Sequence, residues 1–188
     1  MRTLLILCAL AAPALAESTG STSDAGPSVR GEWEALLAGG CDLDAHHVLT
    51  TIEAAALRNA PYALKGYVFK TPELGRLYAA DGGWYRPDPA VSAPTFTLPE
   101  QACIKKLKDH EAALDAQAPL DKRVKNAFLG DRATWLELRA HTRLWKGTRV
   151  KRAVLGKVFV MTCDVCTDFH ALQLSAEGDE PHLLVPGG

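Results

Sequence analysis

Long apolar segments, internal repeats and the common catalytic motifs are all missing from this chain of 188 residues. Beyond the first 16 residues no run approaches the roughly 20 apolar residues that a helix needs to cross a bilayer, so we expect no transmembrane segment. Nucleophile-elbow, phosphate-loop, zinc-helix and dinucleotide-binding motifs are also absent, which argues against the enzyme classes that they define. Because catalytic groups can be scattered along a chain, these absences favour a non-enzymatic role without deciding it.

The first 16 residues have the three parts of a secretory signal peptide. They run from a positively charged start through an apolar stretch to Ala14-Leu15-Ala16, a small-residue cleavage pattern. We therefore expect export, with the mature protein outside the cytoplasm, in the periplasm or outside the cell. Residues 17–30 are rich in Ser, Thr and Gly and have no apolar periodicity, which predicts a flexible leader.

Charge is balanced overall but unevenly distributed. The formal net charge is −1, yet residues 119–157 contain 11 Lys and Arg against 3 Asp and Glu. Residues 17–118 contain 9 basic and 14 acidic residues, and residues 158–188 contain 5 acidic residues and no basic ones. In an exported protein, a basic surface meets an anionic envelope polymer or another envelope protein rather than nucleic acid. The alternative is a solvated face that acidic neighbours neutralise.

The first half of the chain contains three sequence signals for the start of a helix. Two are capping-box patterns and the third is a Thr-Pro pair. They are Thr50-x-x-Glu53, Thr97-x-x-Glu100 and Thr71-Pro72. These signals predict a helical domain over residues 31–116.

The second half changes character. Between Trp135 and Trp145, strongly polar residues alternate with less polar ones, a period of two that predicts a half-buried strand. A helix stays open, because Leu136, Ala140 and Leu144 recur at every fourth position. Four more strands separated by short turns predict an antiparallel meander. They cover residues 149–154, 157–163, 167–175 and 182–185.

The expected fold is therefore α+β, with an N-terminal helical module followed by a small antiparallel β unit at residues 117–188. A strand at 135–145 would place part of the basic segment on one exposed face. Its cationic side chains, with the interleaved tryptophans, would form a candidate binding surface beside the next strand. The members of this surface are Trp135, Arg139, His141, Arg143, Trp145, Arg149 and Lys151.

Four cysteines remain after the expected cleavage, and an even number in an exported protein favours disulfides. Cys41, Cys103, Cys163 and Cys166 allow three pairings. We favour a Cys163–Cys166 clamp across a turn, from which a Cys41–Cys103 bond follows. The alternative is an exported thiol-disulfide oxidoreductase that uses Cys163 and Cys166, although strands flank the pair. A redox pair usually needs a helix N-terminus to lower the pKa of one thiol.

Two groups of residues contain donors for a metal ion. Cys163, Cys166, His170 and His182 have the donor types of a zinc site but lack its tight spacing. The second group directly precedes the first capped helix and comprises Cys41, Asp42, Asp44, His46 and His47. A disulfide and a solvated loop account for these residues more simply, so we expect no metal and no other cofactor.

The segment Leu57–Phe69 and its downstream neighbours contain aromatic, glycine and polar residues at a distinctive spacing. The positions are Arg58, Asn59, Tyr62, Ala63, Gly66, Tyr67, Phe69, Trp84 and Tyr85. With later positions from Glu100 to Glu111, this spacing resembles that of the YARHG domain family over about residues 49–114. The resemblance implies an extracellular helical module of exported bacterial proteins whose function is unestablished, and it supplies no catalytic residues.

Four positions depart from the family pattern. Leu64 and Lys65 stand where the family has the Arg and His of its name, Cys103 replaces an Asn, and Pro61 interrupts a helix. Read physically, the segment is typical of core architecture. Gly66 suits the left-handed position that closes a helix, and the aromatic rings supply apolar bulk for a small domain.

Overall fold

The computed structural model describes residues 28–145, 150–163 and 171–185, and it has the predicted α+β architecture. The helices are α1 Val29–Ala38, α2 Thr51–Leu64, α3 Pro72–Ala80, α4 Leu98–Gln117, α5 Lys122–Gly130 and α6 Arg132–Leu144. The strands are β1 Val150–Leu155, β2 Val158–Cys163, β3 Ala171–Glu177 and β4 Glu180–Leu184. None of the described helices is both long enough and apolar enough to span a membrane. The predicted signal peptide lies outside the described residues.

Helix α1 begins inside the segment predicted to be a flexible leader. Ser28 caps it by accepting a hydrogen bond from the backbone N–H of Gly31 (2.9 Å). The buried carboxylate of Asp81 accepts a second bond from the backbone N–H of Val29 (2.8 Å). Two partners for the free amides of a first turn stabilise the helix start. The last two residues of the predicted leader, Val29 and Arg30, belong to α1, and residues 17–27 lie outside the described part.

Both predicted capping boxes are confirmed. Thr50 Oγ1 accepts from the Glu53 backbone N–H (3.1 Å), and Glu53 Oε2 accepts from the Thr50 backbone N–H (2.8 Å). Thr97 and Glu100 form the same reciprocal pair at the start of α4. Helix α3 begins at Pro72 as expected, but Thr71 makes no capping hydrogen bond through its side chain. These starts depend on groups three residues apart, which is why the sequence predicts them well.

Helix α2 continues through Pro61 to Leu64, so the predicted interruption is wrong. A proline removes one backbone hydrogen-bond donor from a helix. Pro61 lies in the last turn of α2 and is one of the buried residues of that helix, so packing holds this turn in place. The end comes at Gly66, which has φ +80°. The N–H groups of Gly66 and Tyr67 bond to the carbonyls of Ala63 (3.0 Å) and Tyr62 (3.0 Å), the pattern of a Schellman motif.

Residues 132–144 form helix α6, so the strand predicted there is wrong. Asp131 caps this helix by accepting from the backbone N–H of Ala133 (3.1 Å). Its buried residues recur at helical spacing: Trp135, Leu138, Arg139 and Thr142. The period-two pattern assumed that Arg139 faces solvent. In the folded chain Arg139 is instead buried among carboxylates. When it is counted as a buried position, the buried residues recur at the spacing of a helix and not of a strand.

The four strands form one antiparallel sheet in the order β1-β2-β3-β4, which confirms the predicted meander. Residues 167–170, predicted to start the third strand, lie outside the described residues. One face of the sheet packs on the helices and buries Phe159, Met161, Leu172 and Leu174. The registers Phe159↔Leu174 and Met161↔Leu172 place these four side chains on that same face.

A single cluster of buried residues contains side chains from both the helices and the sheet. Trp33, Leu57 and Leu107 contribute from α1, α2 and α4, while Trp135 and Met161 contribute from α6 and β2. Helices α5 and α6 contact the sheet on one side and the earlier helices on the other. The division of the chain near residue 116 into two domains stays a prediction.

Candidate functional site

An open cleft of about 800 Å³ lies between α3, α5 and the turn that joins β3 to β4. This volume is within the range of about 300–1,000 Å³ that is common for ligand sites. Charged side chains of both signs line it. The lining residues are Glu73, Arg76, Asp121, Lys122, Arg123, Asn126, Ala127, Gly130, Asp131 and Asp179.

Helix α5 supplies one wall of the cleft. Lys122, Asn126 and Gly130 are four residues apart, so they share one face of this helix. The absent side chain of Gly130 leaves room for the Arg76 guanidinium, because a Cβ at Gly130 would lie 3.0 Å from Arg76 Nη2. Arg76 in turn lies 3.7 Å from Glu73 in an ion pair.

Several charges in the cleft have structural partners. Asp121 accepts from the backbone N–H groups of the first turn of α5, and Asp131 does the same for α6. Arg123 Nη2 donates to the carbonyl of Ala176 on β3 (3.2 Å), which joins α5 to the sheet. Within the described part of the chain, the side chains of Lys122, Asn126 and Asp179 make no hydrogen bond or ion pair. These three polar groups can accept a ligand without breaking an internal contact.

A second charged assembly is closed to solvent. Arg139 is 1% exposed, and its Nε donates to Glu32 Oε2 (2.7 Å) while its Nη1 donates to Glu53 Oε1 (2.5 Å). The two remaining donations go to the backbone carbonyls of His47 (3.0 Å) and His46 (3.0 Å). Buried charges are tolerated where they are paired and hydrogen-bonded in this way. The assembly joins α6 to α1, to α2 and to the loop between them.

The protonation of this assembly follows from its geometry. Burial acts to lower the pKa of Arg139, but the carboxylates of Glu53 and Glu32 outweigh it and raise that pKa above its ordinary value. Arg143 Nη2 lies 3.0 Å from Glu32 Oε1, a charge contact whose geometry is not that of a hydrogen bond. Arg139 therefore stays charged and holds the helices together, and it is not accessible to a partner.

The loop between α1 and α2 is held at several points. The Cys41–Cys103 disulfide joins it to α4, as predicted, with both cysteines buried. Lys106 Nζ donates to the carbonyl of Cys41 (2.8 Å), and the ring of His110 lies 2.6 Å from the carbonyl of Val48. Cys41 has φ 59°, a left-handed conformation that only the surrounding contacts can maintain.

The polar residues of the YARHG-like segment also have internal partners. Arg58 Nε donates to Glu111 Oε2 (2.9 Å), which joins α2 to α4, and Lys125 donates to the other oxygen of the same carboxylate. Asn59 bonds to the carbonyl of Ala55 within its own helix (2.8 Å). Lys65, at a position that departs from the family pattern, pairs with Glu100 (3.3 Å). None of these contacts forms a constellation suited to catalysis.

The aromatic residues of that segment form a continuous series of ring contacts. Tyr62 contacts Phe96 at 4.6 Å between centroids, and Tyr67 contacts Phe69 at 5.3 Å. The series continues into the core through Tyr78, whose hydroxyl donates to the Ala56 carbonyl (2.6 Å). Trp84 and Tyr85 also contact Tyr78, and Tyr85 contacts Phe69 as well. Burial raises the pKa of the Tyr78 phenol well above its ordinary value.

The spacing of these residues can be compared with known families. Residues 33–112 match the model of the YARHG domain. This chain contains a YARHG domain. The match covers less than half of the chain and begins earlier than residue 49, because α1 is part of the domain and buries Trp33 in its core. No curated protein and no solved structure matches the chain.

The YARHG domain accounts for only one wall of the cleft. It contains Glu73 and Arg76 on α3, whereas α5 and the β3–β4 turn lie beyond residue 112. Sequence reasoning placed Lys122 and Arg123 in the basic segment but missed Arg76 and Asp179. The i, i+4 spacing of Lys122, Asn126 and Gly130 was available as a signal. No local signal indicates that α3 and the β3–β4 turn approach that face of α5.

The predicted basic surface does not form as expected. Trp135, Arg139 and Trp145 are buried, because α6 turns them toward the core. His141 and Arg143 are half-buried in the last turn of α6, where Arg143 contacts Glu32. Lys151 is exposed on β1, and Arg149 lies outside the described residues. Burial therefore removes Trp135, Arg139 and Trp145 from the predicted surface.

The remaining cysteine and metal predictions concern the sheet and the α1–α2 loop. Cys163 ends β2 in a disulfide and is 3% exposed, while Cys166 and His170 lie outside the described residues. Among the residues that the structure describes, no group of three or more metal-binding side chains is close enough to hold an ion. Asp42 accepts from the backbone N–H groups of Ala45 and Asp44, and these bonds, that from Ala45 above all, lower its pKa.

Proposed function

We propose that this chain is an exported bacterial cell-envelope or extracellular protein that acts as a non-enzymatic binding module. One observation supports this above the others. Arg58, Asn59 and Lys65 of the YARHG domain and the three arginines of α6 have internal partners. In the cleft, by contrast, Lys122 and Asp179 have no partner among the described residues. A site that holds charge open to solvent, without a nucleophile and its base, is suited to binding rather than to chemistry.

The proposed partner is an anionic envelope polymer or another envelope protein. Arg76, Lys122 and Arg123 provide three cationic side chains at the mouth of the cleft, and Lys122 and Arg123 are exposed. Surface charges of this kind act by attracting a charged partner over about a Debye length, which salt shortens. The predicted signal peptide would deliver the protein to the compartment where such partners occur. Nucleic acid is not proposed as a partner.

The experiment is retention of the mature protein on purified envelope material. We expect retention at low salt that weakens as the Debye length falls from about 10 Å at 0.1 M to about 3 Å at 1 M salt. The Arg76→Gln/Lys122→Gln variant should be retained less. The matched control is Lys105→Gln/Lys108→Gln, which removes the same charge from the exposed face of α4. No retention of the wild type at low salt would refute the proposal.

Export itself has a separate test. Protein recovered from the producing bacterium should appear in the periplasm or in the medium, with an N-terminus at Glu17. A cytoplasmic protein that retains Met1 would contradict both the signal peptide and the choice of envelope partner.

The alternative is an exported thiol-disulfide oxidoreductase that uses Cys163 and Cys166. A reactive thiolate needs a partly exposed site with positive potential, usually at a helix N-terminus. Cys163 instead ends a strand and is buried, which gives this alternative less support. It predicts a disulfide that mild reductant opens and air closes, with one thiol ionised near neutral pH. A bond between these two cysteines that resists mild reductant would exclude the alternative.

A further inference from the structure

The cleft charges that lack a partner among the described residues have opposite signs on its two walls. Lys122 lies at the first turn of α5, and Arg76 of α3 approaches the same helix from the other side. Opposite them is the two-residue turn Gly178-Asp179, in which Gly178 has φ +63°. Asp179 is exposed at the tip of this turn and lines the cleft. The helical side also contributes the carboxylates of Glu73, Asp121 and Asp131, but Glu73 pairs with Arg76 and the other two cap α5 and α6. Among the described residues, the charges that lack a partner are therefore cationic Lys122 on the helical side and anionic Asp179 on the hairpin side.

Two more carboxylates lie beside Asp179 in the hairpin, although Asp179 alone of the three lines the cleft. Glu177 and Glu180 are directly opposite each other in the β3–β4 register, and both are exposed. Like charges at opposed positions destabilise a strand pair. Within the described ranges, neither these carboxylates nor Asp179 has a cationic partner. A cation at the tip of the hairpin would relieve this repulsion.

The helical side is suited to the opposite charge. The Lys122 ammonium has no partner in the described part of the chain, and the Arg76 guanidinium is 60% exposed beside a single long contact to Glu73. One turn along the same face of α5 as Lys122, the Asn126 carboxamide can both donate and accept a hydrogen bond. Ala127 also lines the cleft, and the missing side chain of Gly130 leaves the room beside α5 that the Arg76 guanidinium occupies.

We propose that the cleft binds a short peptide segment that carries both a free carboxylate and a free ammonium group. The carboxylate would lie against Lys122 and Arg76, the ammonium against Asp179, and the peptide amide between them against Asn126. This inference rests on the proposed binding function and names its ligand class. Of the two proposed partners, this ligand class favours a peptide segment of another envelope protein. A purely anionic polymer would bring negative charge against Asp179 as well as against Lys122, whereas a zwitterionic peptide matches both side chains.

The experiment measures the affinity of the mature protein for three probes by calorimetry at low salt. The probes are trialanine, its N-acetylated form, which keeps only the carboxylate, and its C-terminal amide, which keeps only the ammonium. We expect trialanine to bind several-fold more tightly than either singly charged probe. Equal affinity for trialanine and for the acetylated probe would overturn the proposal in favour of an anion site. No binding of any probe would also overturn it.

Charge-neutralising variants then assign the two walls. Asp179→Asn should lower the affinity for trialanine by about two- to fivefold, as expected for one exposed charge pair. It should leave the affinity for the acetylated probe unchanged. Lys122→Gln should lower the affinity for trialanine while leaving the affinity for the amide probe unchanged. The controls Asp115→Asn and Lys108→Gln remove the same charges from α4, outside the cleft, and should not change the affinity for any of the three probes. Loss of affinity in a control equal to that in a cleft variant would refute the assignment.

The outcomes separate this inference from the proposed function. If envelope material retains the protein but none of the three probes binds, the binding function stands and the peptide ligand is wrong. If the probes bind but envelope material does not retain the protein, the cleft is a peptide site and the envelope partner is wrong.

Discussion

Arg139 and Glu53 form a hydrogen-bonded ion pair of 2.5 Å between residues 86 positions apart in the chain, and neither side chain is more than 1% exposed. Glu53 has a second role in the same place, because its other carboxylate oxygen completes the capping box with Thr50. One carboxylate therefore ends the loop before α2 and anchors α6. This relationship explains how the region beyond the YARHG domain is attached to it.

Removing Arg139 should destabilise the protein strongly. Arg139→Met would leave Glu32 and Glu53 buried without their cation, which costs about 3–5 kcal/mol of unfolding free energy. The matched control is Arg143→Met, which removes a cation that contacts the same Glu32 but is 41% exposed, and its effect should stay below about 1 kcal/mol. Urea unfolding at neutral pH measures both. Equal losses would show that the pair at Arg139 is no more important than a surface contact.

If Arg139→Met does not fold, a milder change tests the same network. Thr142 Oγ1 donates to Glu53 Oε1 (2.5 Å), so Thr142→Val removes one donor and preserves the shape of the side chain. We expect a loss of about 1–3 kcal/mol, because a buried carboxylate loses one hydrogen bond. An unchanged unfolding midpoint would contradict the network.

The Cys41–Cys103 disulfide closes a loop of sequence separation 62. Loop-closure entropy assigns a bond of this span about 4 kcal/mol, within the usual range of about 2–5 kcal/mol. Cys41→Ala/Cys103→Ala should lose stability of that order in urea unfolding. The m-value should rise as well, because the unfolded chain becomes less compact. A midpoint and slope identical to those of the wild type would contradict a stabilising role for the bond.

Two glycines with the same backbone conformation test the close packing at the end of α2. Gly66 and Gly82 have φ +80° and φ +78°, but only a Cβ at Gly66 would meet a neighbour, the carbonyl of Arg86, at 3.0 Å. Gly82→Ala should cost about 1–2 kcal/mol from the left-handed conformation alone. Gly66→Ala should cost more, because the backbone of Arg86 must also move. Similar thermal stabilities of the two variants would contradict this steric effect.

Stability should fall in acid partly through Glu100. Burial acts to raise its pKa, but hydrogen bonds from Thr97 and the charge of Lys65 outweigh it, so the pKa is lowered on folding. A carboxyl with a lowered folded pKa stabilises the protein above its unfolded pKa, about 4.3 in model peptides, and this contribution is lost as pH falls through the folded value. Glu100→Gln should be less stable at pH 7 but lose less stability between pH 5 and pH 3.

The control for this pH dependence is Asp109→Asn, which removes a carboxylate that is 60% exposed on the same helix. Urea unfolding at several pH values gives the slope of stability against pH for each variant. A slope for Glu100→Gln equal to that of the wild type would exclude Glu100 as a source of acid sensitivity.

Tyr78 should contribute to the loss of stability in alkali. Burial raises the pKa of its phenol well above the ordinary value, so the unfolded chain ionises first and stability falls as pH rises above about 10. Tyr78→Phe loses the bond to the Ala56 carbonyl and should be less stable at pH 7, but its stability should fall less steeply above pH 10. Absorbance titration of the phenolate and urea unfolding check this together. A phenolate signal near pH 10 that disappears in this variant would contradict the raised pKa.

Local signals account for much of the architecture. The capping boxes at Thr50 and Thr97 and the helix end at Gly66 involve groups no more than five residues apart, and these features were predicted correctly. The antiparallel meander also follows from short strands with short turns. The alternation at residues 135–145 wrongly predicted a strand, because it treated Arg139 as exposed. The pattern along the chain does not show that Arg139 is buried and paired with the distant carboxylates of Glu32 and Glu53.

Neighbours along the chain are enough to specify where the first helices begin, that a meander follows them, and that the residues of the YARHG domain are present. The burial of Arg139, and the place of Trp135 and Trp145 in the core, depend instead on packing between distant parts of the chain. The cleft depends on the same packing, because its walls come from α3, α5 and the β3–β4 turn, which are far apart in the chain. The physical reason is distance along the chain, because the desolvation and pairing of a charge depend on residues that only folding brings together.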